Sequence, residues 1–175
     1  MSREVALVDL LTRDSLPIVA ANAFWHELSK GHLWVPPDVS DNVADVLAAA
    51  VRNREHDNLF VHVNTVNGTQ TVWGLAEELT HVAHAEAHIG LHCKSAGLII
   101  ACACQHRNCK PHTQFLYHGS PYKNGAADDL RKAKWFAERT TTSEEEWLYM
   151  AQSGKDFEFG PERALEMGVV HEVVA

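Results

Sequence analysis

The chain has 175 residues, a length that fits one domain with a hydrophobic core of its own. Its formal net charge of -8 excludes the basic surface of a typical nucleic-acid-binding protein, and no basic amphipathic stretch indicates a membrane surface. No signal peptide or membrane-length apolar run is visible, so we expect a cytoplasmic protein without nucleic-acid or membrane partners. The cysteines lie in one short region, and we expect them to be reduced.

Apolar periodicity predicts two helices at the start of the chain and an alternation of strands and helices after them. Residues 1–32 form a predicted N-terminal helical extension, with helices at 2–13 and 16–31. Strands follow at 32–36, 58–64, 87–93, 113–119 and 169–174, and helices at 40–56, 70–83, 95–104, 125–154 and 160–168. The segment 125–154 fits one long helix or two short ones. This order is typical of a single α/β domain with a largely parallel sheet.

Two predicted strand-to-helix junctions carry groups that suit catalysis. At the first, Gly68 allows the backbone to approach a ligand and to point an N–H group at it, although Asn67-Gly68 is also a common turn. At the second, Ser95 begins a helix whose dipole and free N–H groups favour a developing negative charge, although serine is also a common N-cap. Taken alone, the first motif is explained as an ordinary turn and the second as a helix N-cap.

His118 adds a candidate base to the second junction. It follows an apolar strand, and it lies at the same sheet edge as Ser95 if the two strands are neighbours. A neutral imidazole is the usual group that removes the proton of a serine hydroxyl at neutral pH. The chain holds 12 histidines, however, and a surface or core histidine remains the alternative.

Four segments, in order and at similar spacing, resemble the proteolytic subunit of the Clp protease, a serine peptidase of the ClpP/crotonase fold group. Residues 33–68 resemble its first strand, first helix and following strand, which end at a Ser-Pro-Gly-Gly turn that reads TVNG here. KSAGLIIACA resembles its Ala-Ser-Met-Gly nucleophile motif, and RNCKPHTQFLYH resembles the stretch that ends in its catalytic histidine. KDFEFGPERALEMGVVHEVV resembles its closing helix and strand.

This resemblance implies that residues 33–175 form a ClpP-like peptidase domain built from repeated β-β-α and βαβ units. It implies Ser95 as the nucleophile, His118 as the base, and the N–H groups of Gly68 and Ala96 as the oxyanion hole. It further implies a serine endopeptidase without a cofactor, which cleaves polypeptides inside a homo-oligomeric ring of six or seven subunits. An ATP-dependent unfoldase is the partner that such a ring implies.

The chain departs from the family pattern at the triad acid, where Gln152 stands. Gln152 can accept or donate a hydrogen bond but supplies no charge, so we expect weakened peptidase activity. Other acids near the site in sequence are Asp156, Asp128 and Asp129. The handle region after His118 is shorter by roughly four helical turns, and residues 1–32 have no counterpart. The alternatives are a catalytically impaired structural or regulatory ring subunit and a crotonase-type acyl-CoA enzyme.

Other groups of chemically active residues favour simpler interpretations. Residues 102–112 offer ligands that suit zinc, but their spacing is not that of a finger, and we expect buried or loop thiols. The histidines at 81, 84, 88 and 92 span a helix end, a turn and a strand, so they need not converge. Lys94 suggests a Ser–Lys dyad, yet residues adjacent in sequence rarely face each other. We therefore predict no metal site.

Overall fold

A mostly parallel sheet organises the part of the chain that the computed structural model describes, residues 18–121 and 125–175. The helices are α1 (Ile18–Leu28), α2 (Asp41–Arg52), α3 (Val72–Thr80), α4 (Ala96–Cys102), α5 (Gly125–Ala137), α6 (Glu144–Gln152) and α7 (Pro161–Glu166). The strands are β1 (His32–Val35), β2 (Asp38–Val39), β3 (Asn58–Thr65), β4 (Asn67–Gly68), β5 (His84–Lys94), β6 (His106–Cys109), β7 (Gln114–Tyr117), β8 (Phe157–Phe159) and β9 (Glu172–Val173). The predicted α/β class with a largely parallel sheet is confirmed.

The long strand β5 divides the sheet into two branches. Strands β1, β3, β5, β6 and β9 lie side by side and are all parallel. The first part of β5 pairs with β6 through residues 86–89, whereas its last residues, 92–94, pair with β7. Strand β8 then adds to β7 in the antiparallel direction. Because β5 and β7 are parallel neighbours, the residues that follow their carboxyl ends meet at one edge of the sheet.

Two groups of helices pack around this edge of the sheet, α2 to α4 in one and α5 with α6 in the other. Helix α4 packs on β3 and β5, α3 packs on α4, and α2 packs on α3. All residues of α4 are buried, as its apolar sequence AGLIIAC predicts. The rings of Tyr117, Phe136 and Trp147 join β7 to α5 and α6, with centroid separations of 4.7 to 5.5 Å. This aromatic cluster holds the two later helices beside the end of β7.

Most predicted helices and strands are found in the structure. The strands that the sequence did not predict are short or polar. The segment predicted as one long helix or two short ones forms two, α5 and α6. Strands β2, β4, β6 and β8 were not predicted, because runs of two to four residues show too little periodicity to be recognised. The predicted helix 2–13 lies outside the described residues. Within those residues, no helix combines the length and apolar character that a membrane span requires.

Arg107 connects the C-terminal segment to the sheet. Its side chain is buried, and its guanidinium group donates to the carbonyl oxygens of Cys104, Gly168 and Val169 at 2.8 to 2.9 Å. It also donates to the carbonyl oxygen of Arg139, after the end of α5, at 2.8 Å. These bonds use four of the five donors of arginine to satisfy backbone groups that would otherwise be buried without partners.

Replacement of Arg107 by Met keeps most of the length of the side chain but leaves these carbonyl groups unsatisfied. We expect the free energy of unfolding to fall by about 2–4 kcal/mol. Arg163 is a matched control, because among the described residues its guanidinium makes only exposed ion pairs, with Glu146 and Glu166. Arg163→Met should change the same quantity by less than about 1 kcal/mol. Urea unfolding measures both variants, and wild-type stability of Arg107→Met would contradict the anchoring role.

Candidate active site

Ser95 occupies a strained turn between β5 and α4. Its φ of 51° and ψ of -110° lie outside the regions that side chains usually adopt, and no other non-glycine residue of the described chain has a positive φ. Such a conformation costs about 1–3 kcal/mol and is frequent at catalytic sites. A sharp turn from strand to helix presents the side chain of the turning residue at the sheet edge. The backbone N–H of Ser95 donates to Leu116 O at 2.9 Å, which ties the turn to β7.

The hydroxyl of Ser95 bonds to His118 and does not cap the helix. The distance between Ser95 Oγ and His118 Nε2 is 2.8 Å, and the Ser95 side chain makes no capping hydrogen bond to α4. The N-cap alternative is therefore wrong for this side chain. The two residues meet because they follow β5 and β7, which are adjacent parallel strands.

A backbone carbonyl determines the protonation of the His118 ring. His118 Nδ1 lies 2.6 Å from Gly119 O, and a carbonyl oxygen can only accept a hydrogen bond. Nδ1 therefore carries the proton in the neutral ring, and Nε2 is left to accept the hydroxyl proton of Ser95. This is the tautomer that a general base needs in order to activate a serine.

Gly68 lines the same site, and its strand β4 pairs with β2. On either side of Gly68, Asn67 N donates to Pro37 O and Thr69 N donates to Val39 O, at 3.2 and 3.1 Å. Because successive N–H groups of a strand point to opposite sides, the Gly68 N–H points away from β2. A Cβ atom at Gly68 would lie 2.5 Å from the Cβ of Ala96, so only glycine allows this approach.

Ala96 supplies a second N–H group at the start of α4. As the first residue of the helix, it has no intrahelical acceptor for its N–H. Gly68, Ser95, Ala96 and His118 together line a cleft of about 130 Å³. The structure thus brings together the four residues that the sequence analysis selected for the nucleophile, the base and the oxyanion hole.

Asn67 has a role at the cleft that the sequence analysis missed. Its exposed side chain accepts a hydrogen bond from the Gly68 N–H through Oδ1, at 2.9 Å. This oxygen therefore occupies one of the two N–H groups that the sequence analysis assigned to an oxyanion hole. Asn67 was visible in the sequence only as part of an Asn-Gly turn, since the pattern does not say which way its side chain folds.

Gln152 is not hydrogen-bonded to His118. It is the last residue of α6, its side chain is exposed, and no described residue other than Gly119 bonds to His118 Nδ1. The end of α6 does touch the loop after His118, because a Cβ atom at Gly119 would collide with Ala151 O. The helix end therefore packs on the loop, while the side chain in the predicted acid position is exposed and makes no hydrogen bond to the imidazole.

None of the other candidate acids forms a hydrogen bond to His118 among the described residues. Asp156 is exposed in the turn before β8. Burial opposes the charge of Asp128, but Lys132, Arg131 and Gln70 outweigh it and lower the pKa of Asp128. Asp129 is buried, and its Oδ1 accepts the Ser120 N–H at 2.6 Å. Asp129 thus holds the loop that presents Gly119 O to the imidazole.

The remaining ligand candidates do not converge. The cysteines Cys93, Cys102, Cys104 and Cys109 are free and buried, and burial raises the pKa of Cys102 to about 11. No group of three His, Cys, Asp or Glu residues in the described chain could hold a metal ion. Lys94 Nζ lies 3.9 Å from Glu158 Oε1, which argues against its pairing with Ser95.

Comparisons with known proteins identify no relative of this chain among protein families or curated proteins. A scan against protein-family models matches no family, and a search of the curated proteins matches no relative. The chemistry must therefore be inferred from the geometry of Ser95, His118 and the cleft around them.

Because Gly119 O, and not Gln152, bonds to Nδ1 of His118, we expect Gln152 to contribute little to the reactivity of Ser95. Gln152→Ala should change the rate at which a fluorophosphonate labels Ser95 by less than about twofold, because no contact to the imidazole is lost. His118→Ala should lower the same rate by about 100-fold or more, since the base is removed. Labelling measured by mass spectrometry compares the two. An equal loss in both variants would instead assign Gln152 a direct part in orienting the base.

Proposed function

We propose that this chain is a ClpP-like serine endopeptidase subunit in which Ser95 and His118 act as a catalytic dyad. The observation that carries the proposal is the 2.8 Å bond between Ser95 Oγ and His118 Nε2 at a strained turn from strand to helix. The segment order that resembles the Clp proteolytic subunit adds to it, with α5 and α6 standing where that family has its longer handle helix. The substrate is a polypeptide.

The proposed reaction begins when Ser95 Oγ attacks a peptide carbonyl carbon and its proton passes to His118 Nε2. The negative oxygen of the tetrahedral intermediate binds the N–H groups of Gly68 and Ala96, after the Asn67 side chain has moved away. His118 then gives its proton to the leaving amine, which leaves an acyl group on Ser95. Water, activated by His118 in the same way, releases that acyl group and restores the hydroxyl.

The dyad is expected to turn over slowly. When His118 takes up a proton, its Nδ1–H is supported by the partial charge of Gly119 O and not by a carboxylate. In serine proteases with a Ser-His-Asp triad, replacement of the Asp by Asn lowers turnover by a factor on the order of 10⁴, although that change also disturbs the tautomer. Here the tautomer is correct, so the missing contribution is the stabilisation of imidazolium charge.

We further propose assembly into a homo-oligomeric ring of six or seven subunits that encloses the clefts, with an ATP-dependent unfoldase as a partner. The segment resemblance is the basis for this assembly. An aromatic surface on the sheet supports it, because Trp34 is 52% exposed and stacks on His62 with ring centroids 3.9 Å apart. Large exposed aromatic side chains are enriched where proteins meet.

A catalytically impaired ring subunit is the second candidate function. The contact between Asn67 Oδ1 and the Gly68 N–H favours it, because it closes half of the oxyanion hole. A crotonase-type acyl-CoA enzyme is not proposed, since the described residues that line the cleft include no carboxylate for acid or base catalysis.

The decisive test is covalent labelling of Ser95 by a fluorophosphonate in the assembled protein, located by mass spectrometry. We expect a single adduct on Ser95, with no adduct in Ser95→Ala. Light scattering on the same sample should report a closed oligomer. Absence of Ser95 labelling in an assembled ring would contradict the peptidase proposal and support the catalytically impaired subunit.

Removal of the Asn67 side chain should increase acylation. Asn67→Ala frees the Gly68 N–H, and we expect the labelling rate to rise about fivefold, which corresponds to one neutral hydrogen bond of roughly 1 kcal/mol. Asn67→Asp is the matched control, because it keeps the acceptor and adds a negative charge beside the oxyanion, and should be slower than wild type. A rate for Asn67→Ala at or below that of wild type would show that Asn67 does not compete for this group.

A further inference from the structure

A small pocket opens beside the Ser95 and His118 pair. It has a volume of about 20 Å³ and is lined by Ser95, Ile99, Tyr117, His118, Lys132 and Phe136. Ser95, Ile99, His118 and Lys132 also line the larger cleft, so the two spaces are adjacent. Space for roughly one water molecule needs at least about 10–15 Å³, so the pocket fits the tip of a side chain and excludes a large ring. We call it the side pocket.

Tyr117, one of the residues that line the side pocket, has a buried hydroxyl group without a partner among the described residues. Tyr117 is 3% exposed, and its OH makes no hydrogen bond to any described residue. Burial, together with the negative charges of Asp129 and Asp128, raises the pKa of Tyr117, so the hydroxyl keeps its proton and can donate it. A buried hydroxyl without a partner costs about 1–3 kcal/mol, and a ligand with an acceptor atom would recover this energy.

Lys132 brings a second donor to the same pocket. It is 7% exposed, and its Nζ is 3.4 Å from Asp128 Oδ2, a long contact for an ion pair. The other oxygen of Asp128 is held by Arg131 Nη2 at 2.8 Å, so one carboxylate is shared between two cations. An ammonium group has three N–H donors. Lys132 therefore keeps donors, and part of its charge, for a ligand.

Asp129 is the further negative charge near this group. Its Oδ1 accepts the backbone N–H of Ser120, so it is directed at the loop after His118. It balances the formal charge of the cluster that contains Asp128, Arg131 and Lys132. The charged group that lines the side pocket, however, is Lys132.

Resting on the peptidase function proposed above, we propose that the side pocket recognises an acidic side chain, aspartate or glutamate, on the residue whose carbonyl Ser95 attacks. That residue is attached to Ser95 Oγ in the acyl intermediate, so its side chain is the one nearest a pocket that Ser95 lines. Its carboxylate accepts hydrogen bonds from Tyr117 OH and Lys132 Nζ, and such charge-assisted bonds are the stronger kind. A basic side chain would be repelled by Lys132, and an aromatic one exceeds the volume.

Binding to the inactive Ser95→Ala variant tests the pocket without depending on catalysis. Two matched peptides that end in Glu or Gln are compared by calorimetry, and we expect the Glu peptide to bind about tenfold more tightly or better. Lys132→Met should remove this preference, and Tyr117→Phe should lower it by about threefold to tenfold. Lys132→Arg keeps the charge and should retain the preference, which guards against loss of folding in the Met variant.

Labelling of the active protein separates this inference from the peptidase proposal. Phosphonate probes that carry Glu or Gln at the acyl position should label wild type with a preference for Glu, whereas a simple fluorophosphonate, which carries no such side chain, reports the reactivity of Ser95 alone. Labelling by the fluorophosphonate with equal binding of the Glu and Gln peptides would overturn the side-pocket assignment alone. Preferential binding of the Glu peptide without any labelling of Ser95 would overturn the peptidase function, while recognition of an acidic ligand by the side pocket would remain supported.

Discussion

The left-handed turn at Ser95 is the constraint on which the rest of the site depends. It ends β5 and starts α4 within one residue, so that Ser95 Oγ lies by His118 and Ala96 lines the cleft. Close packing stabilises this costly conformation. A Cβ atom at Gly97 would lie 3.0 Å from Thr65 O, and the Gly68 backbone is in contact with Ala96. The small residues after Ser95 are therefore required by the approach of β3 and β4 to the helix.

The His118 imidazole is held in the tautomer that a general base needs, whereas one N–H group of the proposed oxyanion hole is occupied by Asn67. Gly119 O orients the imidazole, and Asp129 holds the loop that carries Gly119 O, so the Asp129 carboxylate acts on the base through the backbone. This arrangement selects the tautomer but adds little charge to stabilise imidazolium. Asn67 occupies one oxyanion donor as well. For the proposed peptidase, both features predict slow turnover, on substrates bound well enough to displace the asparagine.

The sequence alone predicts the class of the fold well because its elements are long and periodic. The apolar residues of α2 and β3 recur at helical and strand spacing, and α4 is apolar throughout, so their types are evident from the pattern. Strand β6 was missed because it reads HRNC and contains Arg107, whose burial depends on carbonyl groups more than thirty residues later in the chain. The partners that make a polar residue a core residue are distant in sequence.

At the site, the sequence by itself determined which chemical groups were present and that Ser95, His118, Gly68 and Ala96 follow strands or begin helices. Only the tertiary structure decided what each group bonds to. Pairing of β5 with β7 brings Ser95 to His118, the loop geometry directs Gly119 O at Nδ1, and α6 leaves Gln152 exposed. Motif order locates a residue along an element, whereas hydrogen bonds depend on the direction of side chains and carbonyls, which the packing of neighbouring elements determines.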